Sequence, residues 1–471
     1  MRQSTFITFL SVALATLSTA SPMERRSPKP AAELLTDDPI LPFTPHPYPT
    51  KPLEPREAPD FFPNEKLRKR GSVIGAGVSK GGSSGNFGSS NDYIASGKFT
   101  VPIKSGEQFS YKAASFYSAG GAEKAQSKWT VSKSSDHGKI KDDQKPWTVH
   151  RDVPCICPIG DRVFWFFDDT FVYKEDDTFV GAASNSFAVS RSSDSPSDVE
   201  EISITLEGKV TVVIPWTSEE KDIQYSSDRY AIWSYAPCIP IDDYHAAHQW
   251  TIVKFTNSSY SEILGYAMME YEIDESTSEI AIKRNGMLTY DSGTYAYGSF
   301  ASVLVNNKVY MYAVDPLSAK YDVHLAAAPR YSIYDSSTWS YYDASTSSWS
   351  QTAPDCSQRN KDSAVISGKV PFSTGSVFYS EYHQAYLMVF FSAWADSTFY
   401  AIAGDSPAGP WNTTAVKIAK TELGGNGYNY GGMATPLITG ESEQGKKLVL
   451  SYTYQDTTSN WYGKTETIEF A

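Results

Sequence analysis

The sequence predicts an all-β fold, closed as a five-bladed β-propeller, and three observations predict it. Helical periodicity is almost absent, while short runs of β-branched and aromatic residues alternate with Gly, Asp, Asn and Ser clusters. Aromatics make up 14% of the chain, with 31 Tyr and 11 Trp, side chains that suit a pleated, half-buried surface. One unit, a polar turn followed by an apolar strand, recurs five times, at Asp161–Phe167, His248–Val253, Asn307–Tyr312, His383–Val389 and Lys446–Tyr452. The starts lie 87, 59, 76 and 63 residues apart, each interval holding about four short strands and their loops, or one blade. A closed ring hides its sheet edges and leaves a central channel, where loops distant in sequence converge.

The segments before this domain differ from it. Met1-Arg2, an apolar run from Phe6 to Leu17 and the small residues Ser18-Thr19-Ala20 predict a secretory signal peptide over 1–20. The run is too short to span a bilayer, and no membrane partner is expected. Residues 21–70 hold twelve of the 27 prolines, together with Arg25-Arg26 and Arg68-Lys69-Arg70. Proline fixes φ and donates no amide, so this stretch reads as an extended propeptide or linker, cut after Arg70. Residues 71–95 are a Gly/Ser-rich lead-in, and 96–471 form the propeller domain. A net charge of −13 excludes nucleic acid as a partner. A secreted, extracellular monomer is expected.

An oxidising compartment favours disulfides among Cys155, Cys157, Cys238 and Cys356 over a zinc site. Val153-Pro154-Cys155-Ile156 aligns with Ala236-Pro237-Cys238-Ile239, which places both segments on the inner strands of neighbouring blades. A Cys155–Cys238 or a Cys157–Cys238 bridge follows, with Cys356 left for the remaining partner. Asn257 and Asn412 stand in Asn-x-Ser/Thr glycosylation sites.

The segment Trp147–Phe171 carries the chemistry. Gly160-Asp161 is a natural two-residue hairpin turn, and that turn sets Asp152 directly opposite Asp169. Opposed residues share a face with Cβ atoms about 4.5–5.5 Å apart. Two carboxyls that close split their pKa values and give one proton donor and one ionised base, as glycoside hydrolysis requires. A one-residue slip would put Asp168 on that face instead. The plain alternative is that Asp168 and Asp169 cap a turn while Asp152 pairs with an arginine. Trp233, Tyr235, Tyr379, Tyr428 and Tyr430 are candidate sugar-stacking rings or packing residues. His245 and His248 have an i, i+3 spacing without a convincing helix, which argues against a metal site. No metal or cofactor motif stands out, although calcium would suit a propeller channel. Gly424–Gly432 lacks the lysine and the strand–helix context of a phosphate cradle.

The stretch His150-Arg151-Asp152, the apolar strand ending in Asp168-Asp169-Thr170, and Asn185-Ser186 resemble the opening of the domain-of-unknown-function family 4185. The family's Gly in its Gly-Asp-Thr is Asp168 here. Val323–Pro329 with Trp339–Asp343 is similar to a later blade of that family, where Ala328 stands near the position of an arginine. Gly404–Trp411 resembles the turn of five-bladed glycosidases, including glycoside hydrolase family 43. The resemblance covers roughly residues 147–455. It implies a propeller related to the endo-D-arabinanases of glycoside hydrolase family 183. It makes Asp152 and Asp169 the acid/base candidates and Arg151 and Asn185 sugar-positioning or carboxylate-tuning residues. It also suggests Glu270 as a third carboxylate, because family 43 propellers use three.

The expected function is therefore hydrolysis of arabinan-like or other furanose polysaccharides by an aspartate pair. The alternative is a non-catalytic, carbohydrate-binding or cell-wall-associated propeller. N-terminal sequencing of the secreted protein is expected to begin at Gly71, and a start at Ser21 would rule out processing at Arg70.

Overall fold

A computed structural model describes residues 120–159, 162–192, 195–214, 216, 229–234, 236–256, 260–274, 276–285, 295–315, 322–354, 363–367, 374–392, 396–412, 414–424, 428–437, 444–456 and 460–471, with short strands at 82–83, 92–93 and 98–100. The expected signal peptide and propeptide, the Gly160-Asp161 turn, Tyr235, Asn257 and Cys356 lie outside these residues. Within the expected lead-in, Gly82–Ser83 pairs antiparallel with Asp92–Tyr93.

The described residues are organised by strands, and their one α-helix, Gly121–Ala125, is five residues long. Five antiparallel sheets have four or more strands. In chain order they begin at Cys155–Ile159, Arg229–Trp233, Ala301–Val305, Thr374–Ser380 and Tyr430–Leu437. All five recurrent segments fall on the second strand of one of these sheets: Arg162–Phe167, His245–Thr256, Lys308–Val314, Ala385–Phe391 and Lys447–Gln455. Neighbours cover such a strand on both faces, which is why Arg162–Phe167 and Ala385–Phe391 are buried along their whole length and read as continuous apolar runs. The outer strand Val131–Lys139 is polar and has no buried residue, as suits an edge.

The sheets pack in sequence through their inner strands. Cys155–Ile159 meets Ile239–Pro240 and His245–Thr256 of the second sheet, and Ile239–Pro240 meets Ala301–Val305. That strand meets Thr374–Ser380, which meets Tyr430–Leu437, and Tyr430–Leu437 returns to Cys155–Ile159. Hydrogen bonds close the circuit as well, because Val131–Lys139 pairs with the C-terminal strand Trp461–Phe470. The main apolar cluster runs through this junction, from Phe164, Phe166 and Trp250 to Phe391, Leu450 and Tyr452.

The Cys157–Cys238 alternative is the bridge that forms, tying the first sheet to the second. Cys155 is a buried free thiol within 3.5 Å of the Ser234 carbonyl, and the expected partner of a second bridge, Cys356, lies outside the described residues. Cys155 and Cys157 are two residues apart on one strand and so share a face, but only Cys157 meets Cys238. The bridge closes a span of 81 residues, for which chain entropy predicts about 4 kcal/mol. Cys157→Ser is expected to lower the urea midpoint and to raise the m-value, because the unfolded chain is free to expand. An unaltered midpoint would show that the two sheets hold together without it.

Candidate functional site

Three neighbouring strands of the first sheet break at the same level. Trp147–Arg151 gives way to Cys155–Ile159, Arg162–Phe167 to Thr170–Lys174, and Phe179–Ala183 to Ser186–Ser190. Register is kept across each gap. Arg151 pairs with Thr170 on one side and Cys155 with Phe166 on the other, which leaves Asp152 facing Asp169. Thr170 pairs with Ala183 and Phe167 with Ser186, which leaves Asp168 and Asp169 facing Asn185 and Ser184. The breaks therefore form a line across the sheet, and the expected hairpin register holds on both sides of it.

The chain is strained on this line. Val153 has φ 44°, a left-handed conformation that a β-branched residue rarely adopts and that costs on the order of 1–3 kcal/mol. The fifth sheet holds it there. The Val153 amide donates to Thr453 Oγ1 at 2.7 Å, and Ser451 Oγ donates to the Pro154 carbonyl at 2.9 Å.

Three carboxyls meet at the line, and all are buried: Asp152 is 6% exposed, Asp168 2% and Asp169 5%. Each takes a hydrogen bond from a neighbouring sheet. Tyr430 Oη donates to Asp152 Oδ2 at 2.8 Å, Trp233 Nε1 to Asp169 Oδ1 at 3.0 Å, and the Ser234 amide to Asp168 Oδ1 at 2.6 Å. The Asp168 amide donates to the Asp152 carbonyl at 3.1 Å. Asp152 Oδ1 is buried with no hydrogen-bond partner among the described residues. Burial, and then the Asp169 charge, push the Asp152 carboxyl up to about 8 despite the Tyr430 bond. Burial and the Asp152 charge hold the Asp168 carboxyl well above the usual range. Adjacent buried carboxyls cannot all ionise, so at neutral pH this group retains protons.

The remaining candidates have other partners. Arg151 is fully buried, with Nη1 donating to Glu201 Oε2 at 2.9 Å and its guanidinium 3.7 Å from the Phe167 ring centre; it is engaged in the interior and does not present itself to a sugar. Asn185 Oδ1 accepts from the Val213 and Ile214 amides, pinning a loop. Trp233 is buried edge-on to Asp169, which makes it a carboxylate donor, not an open platform. Tyr379 packs on Tyr386 in a separate cluster. Tyr428 packs partly buried on the main core. Glu270 pairs with Lys283 at 3.2 Å, not with the aspartates. Asn412 Nδ2 donates to the Ala122 carbonyl at 3.0 Å.

His245 pairs with Asp242 at 2.7 Å. His248 is wholly buried and contacts Ser234 Oγ, the Ala236 carbonyl and Tyr271 Oη. Burial drives its imidazole down to about 3, so it is neutral. Among the described residues no group of three or more His, Cys, Asp or Glu side chains is arranged to hold a metal ion.

Sequence reasoning missed Ser234, Glu201 and Thr453, and it took Tyr430 for a stacking ring. One signal was available. Ala236-Pro237-Cys238 aligns with Val153-Pro154-Cys155, so Trp233-Ser234 precede a break equivalent to the one at Asp152.

No protein-family profile matches the sequence, and no curated protein matches it. Solved structures do. A Bacteroides ovatus protein, designated a hydrolase by description only, aligns at 17% identity over 68% of this chain and 86% of its own, with a TM-score of 0.51. A Dyadobacter fermentans protein of unknown function aligns at 10% identity over 72% and 99%, with a TM-score of 0.40. The α-L-arabinofuranosidase of Podospora anserina, solved with cellotriose, aligns at 11% identity over 73% and 98%, with a TM-score of 0.34. The first of these likenesses shows a shared fold.

The carboxyl cluster gives stability a sign. Raised carboxyl pKa values mean that the folded state binds more protons than the unfolded one, so stability falls as pH rises toward about 8. The buried histidines His150, His248, His324 and His383 have lowered values and act oppositely, but only below their ordinary 6.5. From pH 6.5 to 8 the melting temperature is therefore expected to fall, and Asp152→Asn should flatten that slope. An unchanged slope in the variant would show that Asp152 is ionised throughout.

Proposed function

We propose that the chain is a secreted glycoside hydrolase whose ring of five sheets is a five-bladed β-propeller. In this reading Asp152 is the general acid and Asp169 the ionised partner, acting on arabinan-like or other furanose polysaccharides. One observation carries it: two directly opposed carboxyls stand in different environments. Asp152 is driven up to about 8 and keeps its proton at neutral pH, while Asp169 accepts a hydrogen bond from the Trp233 indole, which favours a charged carboxylate. A protonated acid beside an ionised carboxylate is the division of labour that breaks a glycosidic bond. The acid protonates the leaving oxygen, and the carboxylate either attacks the sugar or activates water. The furanose preference rests on the resemblance of Arg151-Asp152, Asp169-Thr170 and Asn185-Ser186 to family 4185. Secretion rests on residues 1–20 and is consistent with the Cys157–Cys238 bridge.

A second reading, a propeller that binds carbohydrate without cleaving it, is favoured by the low exposure of all three aspartates and by Asp168 in place of a glycine. The two separate on one assay. With soluble arabinan, Asp152→Asn and Asp169→Asn are each expected to lower kcat by about 100- to 10,000-fold with the fold retained. Activity of the unmodified protein should decline above about pH 8, as Asp152 loses its proton. Full activity in either variant would refute the pair as catalysts. An unmodified protein that binds polysaccharide but hydrolyses none would support the second reading.

A further inference from the structure

The third sheet ends in a surface that the aspartate site does not use. Its outermost strand, Ser348–Ser350, is exposed along its whole length and leaves Trp349 42% exposed. Trp349 ends a row that crosses the sheet from inside to outside. Tyr312 pairs with Leu325, Leu325 with Tyr342, and Tyr342 with Trp349, so all four side chains share one face. Tyr312 and Leu325 are fully buried, and Tyr342 is half-buried. The Trp349 ring stands 5.0 Å from Tyr342, tilted against it, and 6.0 Å from Tyr310, edge to face. The rings therefore support each other, and the indole is held in place at the surface.

The turn and strand that carry Trp349 are neutral and rich in hydroxyls. Gln351 Nε2 donates to Ser340 Oγ at 2.7 Å beside the rings. Residues 344–353, Ala-Ser-Thr-Ser-Ser-Trp-Ser-Gln-Thr-Ala, contain no charged side chain in a protein that is 20% charged. Edge strands are ordinarily blunted by charge or proline, because an exposed apolar edge invites aggregation. An exposed tryptophan on an uncharged edge is therefore a liability unless something covers it. A protein partner would gain affinity and register from charge pairs, and the turn and strand that carry Trp349 offer none; the nearest charges are Lys308, two residues from Tyr310, and Asp343, opposite Ser348. A ligand that matches both parts has flat C–H faces for the rings and many neutral hydroxyls for Ser, Thr and Gln.

We propose that Trp349, with Tyr342 and Tyr310, forms a binding platform for a neutral polysaccharide chain, separate from the aspartate site. The platform would anchor a long polymer without taking part in bond cleavage, so its existence does not depend on the proposed hydrolysis.

The test is affinity electrophoresis of the full chain in gels containing soluble arabinan, xylan or mixed-linkage β-glucan. At least one polymer is expected to retard the unmodified protein and Asp152→Asn equally, and Trp349→Ala to lose most of that retardation at an unchanged melting temperature. Trp349→Phe, which keeps a ring, should recover part of it. Turnover of short, soluble arabino-oligosaccharides should be the same in Trp349→Ala as in the parent. If none of the three polymers retards the protein, or if Trp349→Ala is retarded like the parent, the platform is refuted. A dimer in size-exclusion chromatography that Trp349→Ala converts to monomer, with retardation intact, would assign the patch to a second copy of the chain and overturn the proposal.

Discussion

The structure depends on one constraint, that three adjacent strands of the first sheet break at the same level without losing register. A break with a register slip would have turned Asp152 and Asp169 to opposite faces. With register kept, the two arms of each strand stay paired while the chain bends between them. Val153, left-handed and buried before a proline, marks where the bend stores strain. Such a conformation persists only when its surroundings over-determine it. Here Thr453 and Ser451 of the fifth sheet hold the residues on either side of the Val153–Pro154 bond.

That dependence runs both ways around the ring. The first sheet supplies all three carboxyls, yet each of them accepts a hydrogen bond from a neighbouring sheet. Tyr430 belongs to the fifth sheet, and Trp233 and Ser234 to the second. A buried carboxyl without donors costs several kcal/mol, so the cluster is tolerable only once the neighbouring sheets have docked. On the far side of the line, Arg151 and Glu201 form a buried ion pair. Asp142 accepts from the Glu201 amide at 3.1 Å and from Arg191 at 3.0 Å. A buried pair of this kind adds little net stability, but removing one partner strands a charge. Its effect is to specify which way the broken strand faces.

Much of this was legible in the sequence, and for physical reasons. Apolar runs following a polar turn located the second strand of every large sheet, because burial on both faces leaves a continuous signature. Reading Gly160-Asp161 as a turn predicted a register that the flanking strands keep, and that register brings Asp152 to Asp169. What stayed hidden was non-local. Arg151 has no sequence signal tying it to Glu201, fifty residues on. Trp233 and Tyr430 were visible as aromatics, but a ring's composition does not reveal that its polar edge points at a carboxyl. Cys155 and Cys157 were equivalent in spacing, and only the depth and direction of packing decided which one met Cys238. Asn185 was marked by its motif as a sugar-positioning or carboxylate-tuning residue, and nothing local in the sequence showed that its Oδ1 accepts from the Val213 and Ile214 amides.

Asp168 is the residue that most changes what the line can do. The family that the sequence resembles carries glycine there, with no side chain and no charge. In this chain a third carboxyl joins the line, and burial, then the Asp152 charge, hold it well above the usual range. The Ser234 amide opposes that shift by stabilising an ionised Asp168. Asp152 is pushed up by burial and then by the charge of Asp169, against the Tyr430 hydrogen bond from the fifth sheet. The proton on Asp152 is thus set by residues from two sheets, and Asp168 adds a second buried group that retains a proton where the resembled family has no side chain at all.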